Sequence, residues 1–375
     1  MRNIFILLFT LCFVMCAPRQ SDNTISVDLD HPEKASLFDY FRSIDLIPLE
    51  TSSDALVQAL TKVVEHEDKY YALDKPQCLI FVFDKAGKFL YKIGTKGQGA
   101  GEYAFISDFN INPFSGNLEI LEPYGRIHVY SLLGDFIETK RISYPEFKVA
   151  HSLAALDNDI YVSHSLFEPK KIAYFDLNKQ ELLHEEFEED ISIGSYSQIP
   201  YQYKDEWFFY RPFHPIVYKI GKKQLEASFK FDFGKYTKDG RTAVLSQEAK
   251  INFTKNKEEM YAQFSYMIQA VRHNDKYIFA SVLWKDNDHR ANIIYDKSTG
   301  KSKYIIEFDE KVWFNSYRGE EIIVTDQYAI MPIQWVDLEK RVTKEMLNDK
   351  QQIILEKLLQ ADTEQNPILI KYWFK

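Results

Sequence analysis

One hairpin pattern occurs twice in the first third of the chain and limits what the chain can fold into. Residues 80–90 and 127–137 each contain a strand pattern with period two, a turn with glycine and a further strand that contains an aromatic residue. The turn glycines, Gly87 and Gly134, are 47 residues apart. Each copy therefore predicts a β-hairpin. Hairpins repeated at this spacing are typical of β-propeller blades, which have four strands in about 40–50 residues.

A second signature, a strand followed by a tight polar turn and a strongly apolar strand, occurs six times. Equivalent positions in the six copies are Tyr70, Leu118, Ile160, Trp207, Tyr277 and Tyr328. Their successive spacings are 48, 42, 47, 70 and 51 residues. Asp, Asn, Lys and Gly crowd the turns, as two-residue hairpins prefer. Six copies predict six blades, so the fold class is all-β and the architecture is a six-bladed β-propeller over residues 40–375.

The two ends of the chain predict how the ring closes. The last strand pattern, residues 368–372, ends three residues before the C-terminus, so the sixth blade lacks its outermost strand. A spare strand pattern lies at residues 44–49. An N-terminal strand that completes the last blade removes exposed sheet edges, which otherwise promote aggregation. We therefore expect the propeller to be closed by this strand.

Two insertions make the blades longer than the repeat requires. Residues 235–264 are polar with short helical stretches, and residues 338–362 have the apolar periodicity of an amphipathic helix. The first joins two blades and the second joins the middle strands of blade six. In a four-stranded blade both kinds of connection emerge at the same face. Insertions gathered on one face of a repeat protein usually mark the binding face.

The N-terminus predicts export. Arg2 precedes an apolar run over residues 4–15, which is too short to cross a bilayer and therefore indicates a signal peptide over residues 1–15. Cys16 follows, as in bacterial lipoprotein signals, although Met15 departs from the small residue usual before that cysteine. We expect Cys16 to carry lipid and residues 16–39 to form a tether. The membrane is then a partner through this anchor, and the location is the bacterial cell envelope.

Several of these motifs together resemble a known family. They are Leu46-Ile47-Pro48-Leu49-Glu50-Thr51, the glycine-containing segments 83–94 and 97–103, and Asn366-Pro367-Ile368-Leu369. The chain resembles the six-bladed β-propeller lipoproteins of Bacteroidetes, relatives of NHL-repeat propellers that are mostly of unknown function. The resemblance covers residues 40–375, with Ala100 standing where those proteins commonly have proline. It implies the fold and supplies no catalytic residues.

The net negative charge and the absence of known catalytic motifs argue against several classes of function. The chain carries a net charge of −9, which argues against nucleic acid as a partner because nucleic-acid binding depends on neutralising phosphates. No serine-hydrolase elbow, zinc-protease helix or Cys-x-x-Cys pair is present, and the histidines lack metal-ligand spacing. We therefore predict no catalytic residues and no cofactor, and the sequence favours a binding protein over an enzyme.

Polar and aromatic residues at the insertion-bearing face form a candidate ligand rim. They are Lys75, Glu102, Tyr103, Glu122, Arg126, His164, Arg211, His214, Trp284, Asp286 and Trp335. Each residue alone is best explained as a surface residue, but their convergence on one rim favours ligand contact by some of them, because ligand pockets combine aromatic walls with a few polar groups. Asp286 and Asp288 offer oxygen ligands that Ca²⁺ favours, yet the rest of an EF-hand loop is absent.

Three functions stay open from the sequence. The first is an envelope lipoprotein that binds a small molecule, glycan, peptide or protein at the insertion-bearing face. The second is a scaffold or accessory subunit of an envelope complex. The third is an enzyme similar to calcium-dependent lactonases or lyases of six-bladed type, whose site residues would come from separate blades and leave no local motif.

Overall fold

The structure, a computed structural model, describes most of the chain from residue 23 onward. It covers residues 23–142, 149–166, 168–189, 191, 199–238, 244–251, 256, 258, 259, 263, 264, 266–284, 289–310 and 322–375, with the backbone alone at residues 284 and 289–291. These residues form six small antiparallel sheets arranged in a ring, with few helices. The predicted six-bladed β-propeller is confirmed.

The first three blades are simple four-stranded meanders. Blade 1 has strands Leu60–His66, Lys69–Asp74, Leu79–Asp84 and Phe89–Ile93. Blade 2 has strands Asp108–Ile111, Leu118–Leu121, Arg126–Tyr130 and Phe136–Arg141. Blade 3 has strands Ser152–Ala155, Ile160–His164, Lys170–Asp176 and Glu181–Glu188. The first strand of each blade lies at the axis, where the Asn110 side chain donates to the carbonyl oxygen of Leu153 in the next blade.

Blades 4 and 5 repeat this meander, and blade 6 is assembled from both ends of the chain. Blade 4 has strands Tyr201–Tyr203, Glu206–Phe209, Ile216–Ile220 and Leu225–Asp232. Blade 5 has strands Tyr266–His273, Tyr277–Trp284, His289–Asp296 and Lys301–Phe308. Blade 6 has strands Ile323–Val324, Tyr328–Ile333, Ile368–Phe374 and Phe41–Pro48.

The N-terminal strand closes the ring as predicted. Phe41–Pro48 pairs antiparallel with Ile368–Phe374, with Pro48 opposite Ile368 and Ile44 opposite Tyr372. Pro48 lies at the end of an outermost strand, where the missing backbone N–H is tolerated. Because the first and last segments share one sheet, the ring has no open blade.

The segment before the closing strand differs from the predicted tether. Thr24–Ser26 pairs in parallel with residues 230–232 of blade 4, and Glu33–Ala35 pairs in parallel with residues 305–308 of blade 5. An outer strand exposes unpaired backbone groups, and these bond to a neighbouring backbone whatever its side chains are. The tether prediction is therefore wrong from Thr24 onward, while residues 16–22 lie outside the described residues.

Both insertions lie at the same end of the axis. The first joins Asp232 of blade 4 to Tyr266 of blade 5 and contains the helix Gln247–Ile251. The second joins Ile333 to Ile368 within blade 6. In an antiparallel meander these connections share one end, which we call the insertion-bearing end. The first and second strands of each blade turn at the opposite end, which we call the hairpin end.

The helix of the second insertion, Asp349–Leu359, packs on the closing strand. The Asn348 side chain caps its first turn by accepting from the Gln351 N–H at 3.1 Å. Gln351 in turn accepts from the Leu46 N–H at 2.8 Å and donates to Asp45 at 3.1 Å. Side-chain caps satisfy N–H groups that a helix leaves open. This insertion is therefore tied directly to the strand that closes the ring.

Apolar clusters between adjacent blades form the core. Tyr71 and Ile80 of blade 1 pack with Phe109 and Ile120 of blade 2, and similar clusters fill the other interfaces. The loop between blades 1 and 2 needs glycine, because Gly94 has φ +95° and an added side chain would collide with the buried Tyr103 ring. Packing between adjacent blades thus determines which residues at the two ends of the axis are exposed to solvent.

Candidate functional site

A cavity lies on the axis at the hairpin end. Its volume is about 440 Å³, and the first strands of blades 1, 2, 4, 5 and 6 contribute to its wall. The polar side chains around it include Lys62, His66, Asn110, Gln202 and Arg272. We call this space the axial cavity. Gln202 is exposed and makes no side-chain hydrogen bond within the described part of the chain, so its amide is available to a ligand.

Arg272 is a fixed cation in the wall of the axial cavity. Its Nε donates to the carbonyl oxygen of Ile322 at 2.9 Å and its Nη1 to that of Val271 at 2.8 Å. The guanidinium lies 4.8 Å from the centre of the Tyr201 ring, a cation–π distance. With only 5% of the residue exposed, its orientation is set before any ligand arrives.

Lys62 closes the inner end of the axial cavity. Its ammonium donates to Asp108 Oδ1 at 3.0 Å and to Asn110 Oδ1 at 2.7 Å, and both charged side chains are almost completely buried. Asp108 also accepts the backbone N–H groups of Phe109 and Leu153. Buried charges need partners of this kind, since a lone buried charge is very unfavourable.

The hairpin end of blades 4, 5 and 6 is held by a hydrogen-bonded ion network. Lys204 Nζ lies 2.7 Å from Asp275 Oδ2 and 3.3 Å from Asp326 Oδ2. The Tyr203 hydroxyl lies 3.0 Å from Asp275 Oδ1 and 2.5 Å from Asp326 Oδ1, so its one proton is shared between the two carboxylates. The hydrogen bond from Lys204 lowers the pKa of Asp275 below its ordinary value. The network has one ammonium and two carboxylates, and its members Tyr203 and Lys204 line the axial cavity.

Several residues of the predicted rim are occupied in packing. Tyr103 is buried between blades 1 and 2, and burial raises the pKa of its hydroxyl well above the usual range. Glu122 is buried and accepts from Arg126 Nε and from the Ala104 N–H. Trp335 donates to the carbonyl oxygen of Leu358 at 2.8 Å. These side chains hold loops and the insertion in place.

Glu102 and Lys75 complete the rim on the first two blades. Glu102 accepts the Gly99 N–H at 2.8 Å and so stabilises the glycine-rich loop. Lys75 follows the second strand of blade 1 and is half-buried. Desolvation lowers the pKa of Lys75, while Asp108 opposes that effect. The Glu102 carboxylate is thus bound within the glycine-rich loop, whereas the Lys75 ammonium makes no hydrogen bond to a residue that the structure describes.

Blades 3 and 4 bring three more predicted residues together, all of them buried. Arg211 Nε donates to Glu189 Oε2 at 2.6 Å, and its Nη2 donates to the carbonyl oxygen of Ile191 at 3.2 Å. His214 Nε2 lies 2.9 Å from the Tyr218 hydroxyl, with the two rings parallel. Desolvation and the Arg211 charge lower the pKa of His164 well below its usual value. The rim here is a buried polar layer and not an open surface.

Other predicted site residues lie outside the described residues. They are the side chain of Trp284, Asp286, Asp288 and the lipidation residue Cys16. Across the described ranges, no group of three or more His, Cys, Asp or Glu side chains is placed to hold a metal ion. Nor does any helix among those residues have the length and apolarity needed to span a bilayer. The calcium and lipid predictions stay predictions.

The sequence analysis missed the residues that line the axial cavity. Lys62 and Arg272 each interrupt an apolar first strand, and Gln202 alternates with two tyrosines in another. A charged residue inside a strand that faces the axis is the signal that would have identified them, because buried charges are kept only with partners or a role.

Comparisons with known proteins agree with the fold and leave the function open. The sequence model of a family described as a domain of unknown function, DUF4934, matches residues 22–372. A candidate exported protein of Bacteroides fragilis has a similar crystal structure, with a TM-score of 0.73, 18% identity and coverage of 94% of this chain and 99% of that one. A DUF4221 family member from Bacteroides vulgatus has a TM-score of 0.53, 12% identity and coverage of 89% and 97%. No curated protein matches the chain.

Proposed function

We propose that this chain, which belongs to the DUF4934 family, is an exported propeller that binds a small polar ligand in its axial cavity. The observation that carries the proposal is the cavity of about 440 Å³ on the axis, to which five of the six blades contribute. Small-molecule sites are commonly concave spaces of about 300–1,000 Å³ with a few placed polar groups. The predicted signal peptide and the similarity to a candidate exported protein support export.

The lining indicates the chemistry of the ligand. Gln202 offers a free amide, and Arg272 and Lys62 place two cationic groups in the wall. Tyr201 and Trp207 supply aromatic surface beside them. This combination suits an oxygen-rich ligand the size of a sugar or a dipeptide, which presents hydroxyl or carboxylate oxygens and a small apolar face.

The test is to fill the axial cavity without touching the rest of the blade. We expect Gln202→Trp to abolish binding of any monosaccharide, disaccharide or dipeptide that raises the melting temperature of the wild-type protein. Ala227→Trp, an exposed position on the outer strand of the same blade, is the matched control and should keep binding. Equal dissociation constants in Gln202→Trp and the wild type, measured by calorimetry, would refute the site. So would failure of every compound in this panel at millimolar concentration.

The lipid anchor is part of this proposal. Cys16 follows the apolar signal, and the first described residue, Asn23, lies only seven positions later against blade 4, where its amide donates to the Ser228 carbonyl oxygen. A lipidated Cys16 would hold the propeller close to the bilayer. We expect Cys16→Ala to abolish labelling by a palmitate analogue in cells. Persistent labelling of that variant would contradict the anchor.

A second candidate, a subunit of an envelope complex, is favoured by exposed apolar side chains on the insertions. Val244 and Ile251 of the first insertion are 84% and 70% exposed, and Val336 of the second is 65% exposed. Exposed apolar groups that cluster on one face mark interaction surfaces. A partner should co-purify from detergent-solubilised membranes and be lost in Ile251→Glu. Leu133→Glu, an equally exposed leucine elsewhere, is the control. A chain that always purifies alone would eliminate this candidate.

A further inference from the structure

The outer strands of the propeller differ in whether another segment covers their free edge. Those of blades 4 and 5 pair with Thr24–Ser26 and Glu33–Ala35, and that of blade 6 bonds to the helix of the second insertion through the Leu46 N–H. At blade 1 the Phe89 N–H donates to Glu50 Oε2 at 3.0 Å. A free sheet edge is a template for another strand, and in this fold several edges are already occupied.

The outer strand of blade 2, Phe136–Arg141, has a different environment. Among its six residues only Lys140 is half-buried, and the large apolar side chains of Phe136 and Ile137 are exposed. Along the described ranges no further strand pairs with it. The described residues thus leave this edge open to solvent.

Two backbone N–H groups of this strand point away from the blade. The Ile142 N–H donates to the Gly125 carbonyl oxygen at 2.8 Å, so every second residue before it also bonds to the third strand of the blade. The N–H groups of Thr139 and Arg141, which lie between those residues, therefore face outward. Neither donates to a residue that the structure describes. The edge can accept another strand at these two positions.

The charges along the strand complement those of a second copy. Glu138 and Lys140 lie on the same face of the sheet, with Oε1 and Nζ 4.0 Å apart. Two antiparallel copies that are centred on Thr139 place Glu138 of each copy opposite Lys140 of the other. Opposite charges directly across a strand pair stabilise it, and like charges destabilise it.

The same rule disfavours other pairings. A strand pair centred on Lys140 or on Glu138 places that residue opposite its own copy, so like charges meet. Two copies of the outer strand of blade 3, Glu181–Glu188, also repel each other, because this strand has four glutamates and no lysine or arginine. Charges on an edge strand therefore oppose most pairings. In blade 2 the register centred on Thr139 brings opposite charges together.

We propose that two copies of this chain form a symmetric dimer through the outer strands of blade 2, paired antiparallel about Thr139. The Thr139 N–H of each copy donates to the Thr139 carbonyl oxygen of the other. A Glu138–Lys140 pair flanks this centre on either side, and Ile137 packs on the aliphatic stem of Arg141 across the strand pair. Twofold dimers with self-complementary surfaces are the commonest homo-oligomers. The interface is small, so the dimer is reversible.

Charge reversal tests the register. Wild-type protein should show a monomer–dimer equilibrium in analytical ultracentrifugation between about 10 μM and 1 mM. Glu138→Lys alone and Lys140→Glu alone each place like charges opposite one another and should weaken self-association at least about tenfold. An equimolar mixture of the two variants restores opposite charges at both positions and should associate as tightly as the wild type. Restored association also shows that both variants are folded.

A second pair of variants tests the backbone hydrogen bonds. Thr139→Pro removes an N–H that blade 2 itself does not use, since proline is tolerated where the N–H of an edge strand faces solvent. It should abolish the dimer with little change in the melting temperature of the monomer. Thr139→Ala is the matched control and should dimerise like the wild type. Both variants lose the hydroxyl that lies 3.0 Å from His128 Nδ1, but only the alanine variant keeps the N–H.

Three results would overturn the dimer. Wild-type protein that stays monomeric at about 1 mM would exclude a second copy as the occupant of this edge. A mixture of Glu138→Lys and Lys140→Glu that associates no better than either variant alone would contradict the register. Equal association of Thr139→Pro and Thr139→Ala would show that the contact does not use the strand edge. Gln202→Trp, in the axial cavity, should dimerise like the wild type.

Discussion

Two groups of charged side chains, one at each end of the propeller axis, differ in their exposure to solvent. At the hairpin end, Lys204 sits between Asp275 and Asp326, and its side chain is half exposed to solvent. At the insertion-bearing end, Arg211 and Glu189 form a pair that is almost completely inaccessible to solvent. The Lys204 group is in contact with water, whereas the Arg211–Glu189 pair is buried.

This difference has energetic consequences. An exposed ion pair exchanges hydration for a weak screened attraction and contributes little to stability. A buried pair has already lost its hydration, so each partner depends on the other. Single substitutions should therefore be costly in the buried Arg211–Glu189 pair and cheap in the exposed Lys204 group.

The largest expected effect comes from breaking the buried pair. Glu189→Gln removes the carboxylate that Arg211 Nε contacts at 2.6 Å in a buried ion pair, and we expect a loss of about 3–5 kcal/mol in the free energy of unfolding. Urea denaturation measures it. A loss below about 1 kcal/mol would mean that water reaches Arg211, and the contrast between the two ends would fail.

Buried neutral histidines should make the stability of the fold depend on pH. Desolvation and the Arg211 charge hold the pKa of His164 low, so the folded protein stays neutral there while the unfolded chain takes up a proton below its ordinary pKa of 6.5. Stability is therefore present above that pH and is lost as the pH falls. Burial also lowers the pKa of His273 to about 3, so this residue adds to the same slope.

Removing His164 isolates its share of that slope. Between pH 7 and pH 5, His164→Asn should lose less unfolding free energy than the wild type, because asparagine does not titrate. Asp275→Asn is the control from the hairpin end. The pKa of Asp275 is lowered from 3.8 by the Lys204 hydrogen bond, so its contribution is lost only as the pH falls below the ordinary carboxyl range. Identical slopes for His164→Asn and the wild type would contradict the buried neutral imidazole.

The smallest expected effect is at the hairpin end. Lys204→Ala should lower the free energy of unfolding far less than Glu189→Gln does, because the ion pair is exposed and screened by salt. Chemical denaturation at low and high salt measures this, and the small difference should shrink as salt rises. A salt-independent loss as large as that of Glu189→Gln would show that the hairpin end is as dependent on its charges as the other end.

The sequence predicted the repeating parts of the fold because repetition is local. Each hairpin places its turn residues and its alternating apolar residues within about a dozen positions, as in residues 80–90. The closing strand at residues 44–49 and the helix within residues 338–362 also have readable local patterns, and the structure contains both, as Phe41–Pro48 and Asp349–Leu359. Strands, hairpins and helices that depend only on a local sequence pattern could therefore be predicted.

The strands Thr24–Ser26 and Glu33–Ala35 could not be predicted. Each has only three residues, and polar groups surround both, so no periodicity marks them. They form because blades 4 and 5 present unpaired backbone edges. The outer strands of distant blades, and not the segment itself, decide that this part of the chain is ordered.

The predicted rim shows the same division. The strand ends placed Lys75, Glu122, His164 and Arg211 at one end of the axis from the sequence alone. Whether each side chain faces solvent, pairs with Glu189 or packs under a loop depended on the neighbouring blades, which are far away in sequence. The axial cavity was missed for this reason too, since Lys62 and Arg272 come from blades whose first strands meet only in the closed ring.

The sequence by itself thus determined the number of blades, the way the ring closes and the end of the axis at which its longest loops emerge. These follow from hydrogen-bonding patterns and apolar alternation that act over short stretches of chain. Only the tertiary structure decided which charges are buried, which are paired and which remain for a ligand. Burial and pairing depend on contacts between blades, and these contacts join residues that are far apart in the sequence.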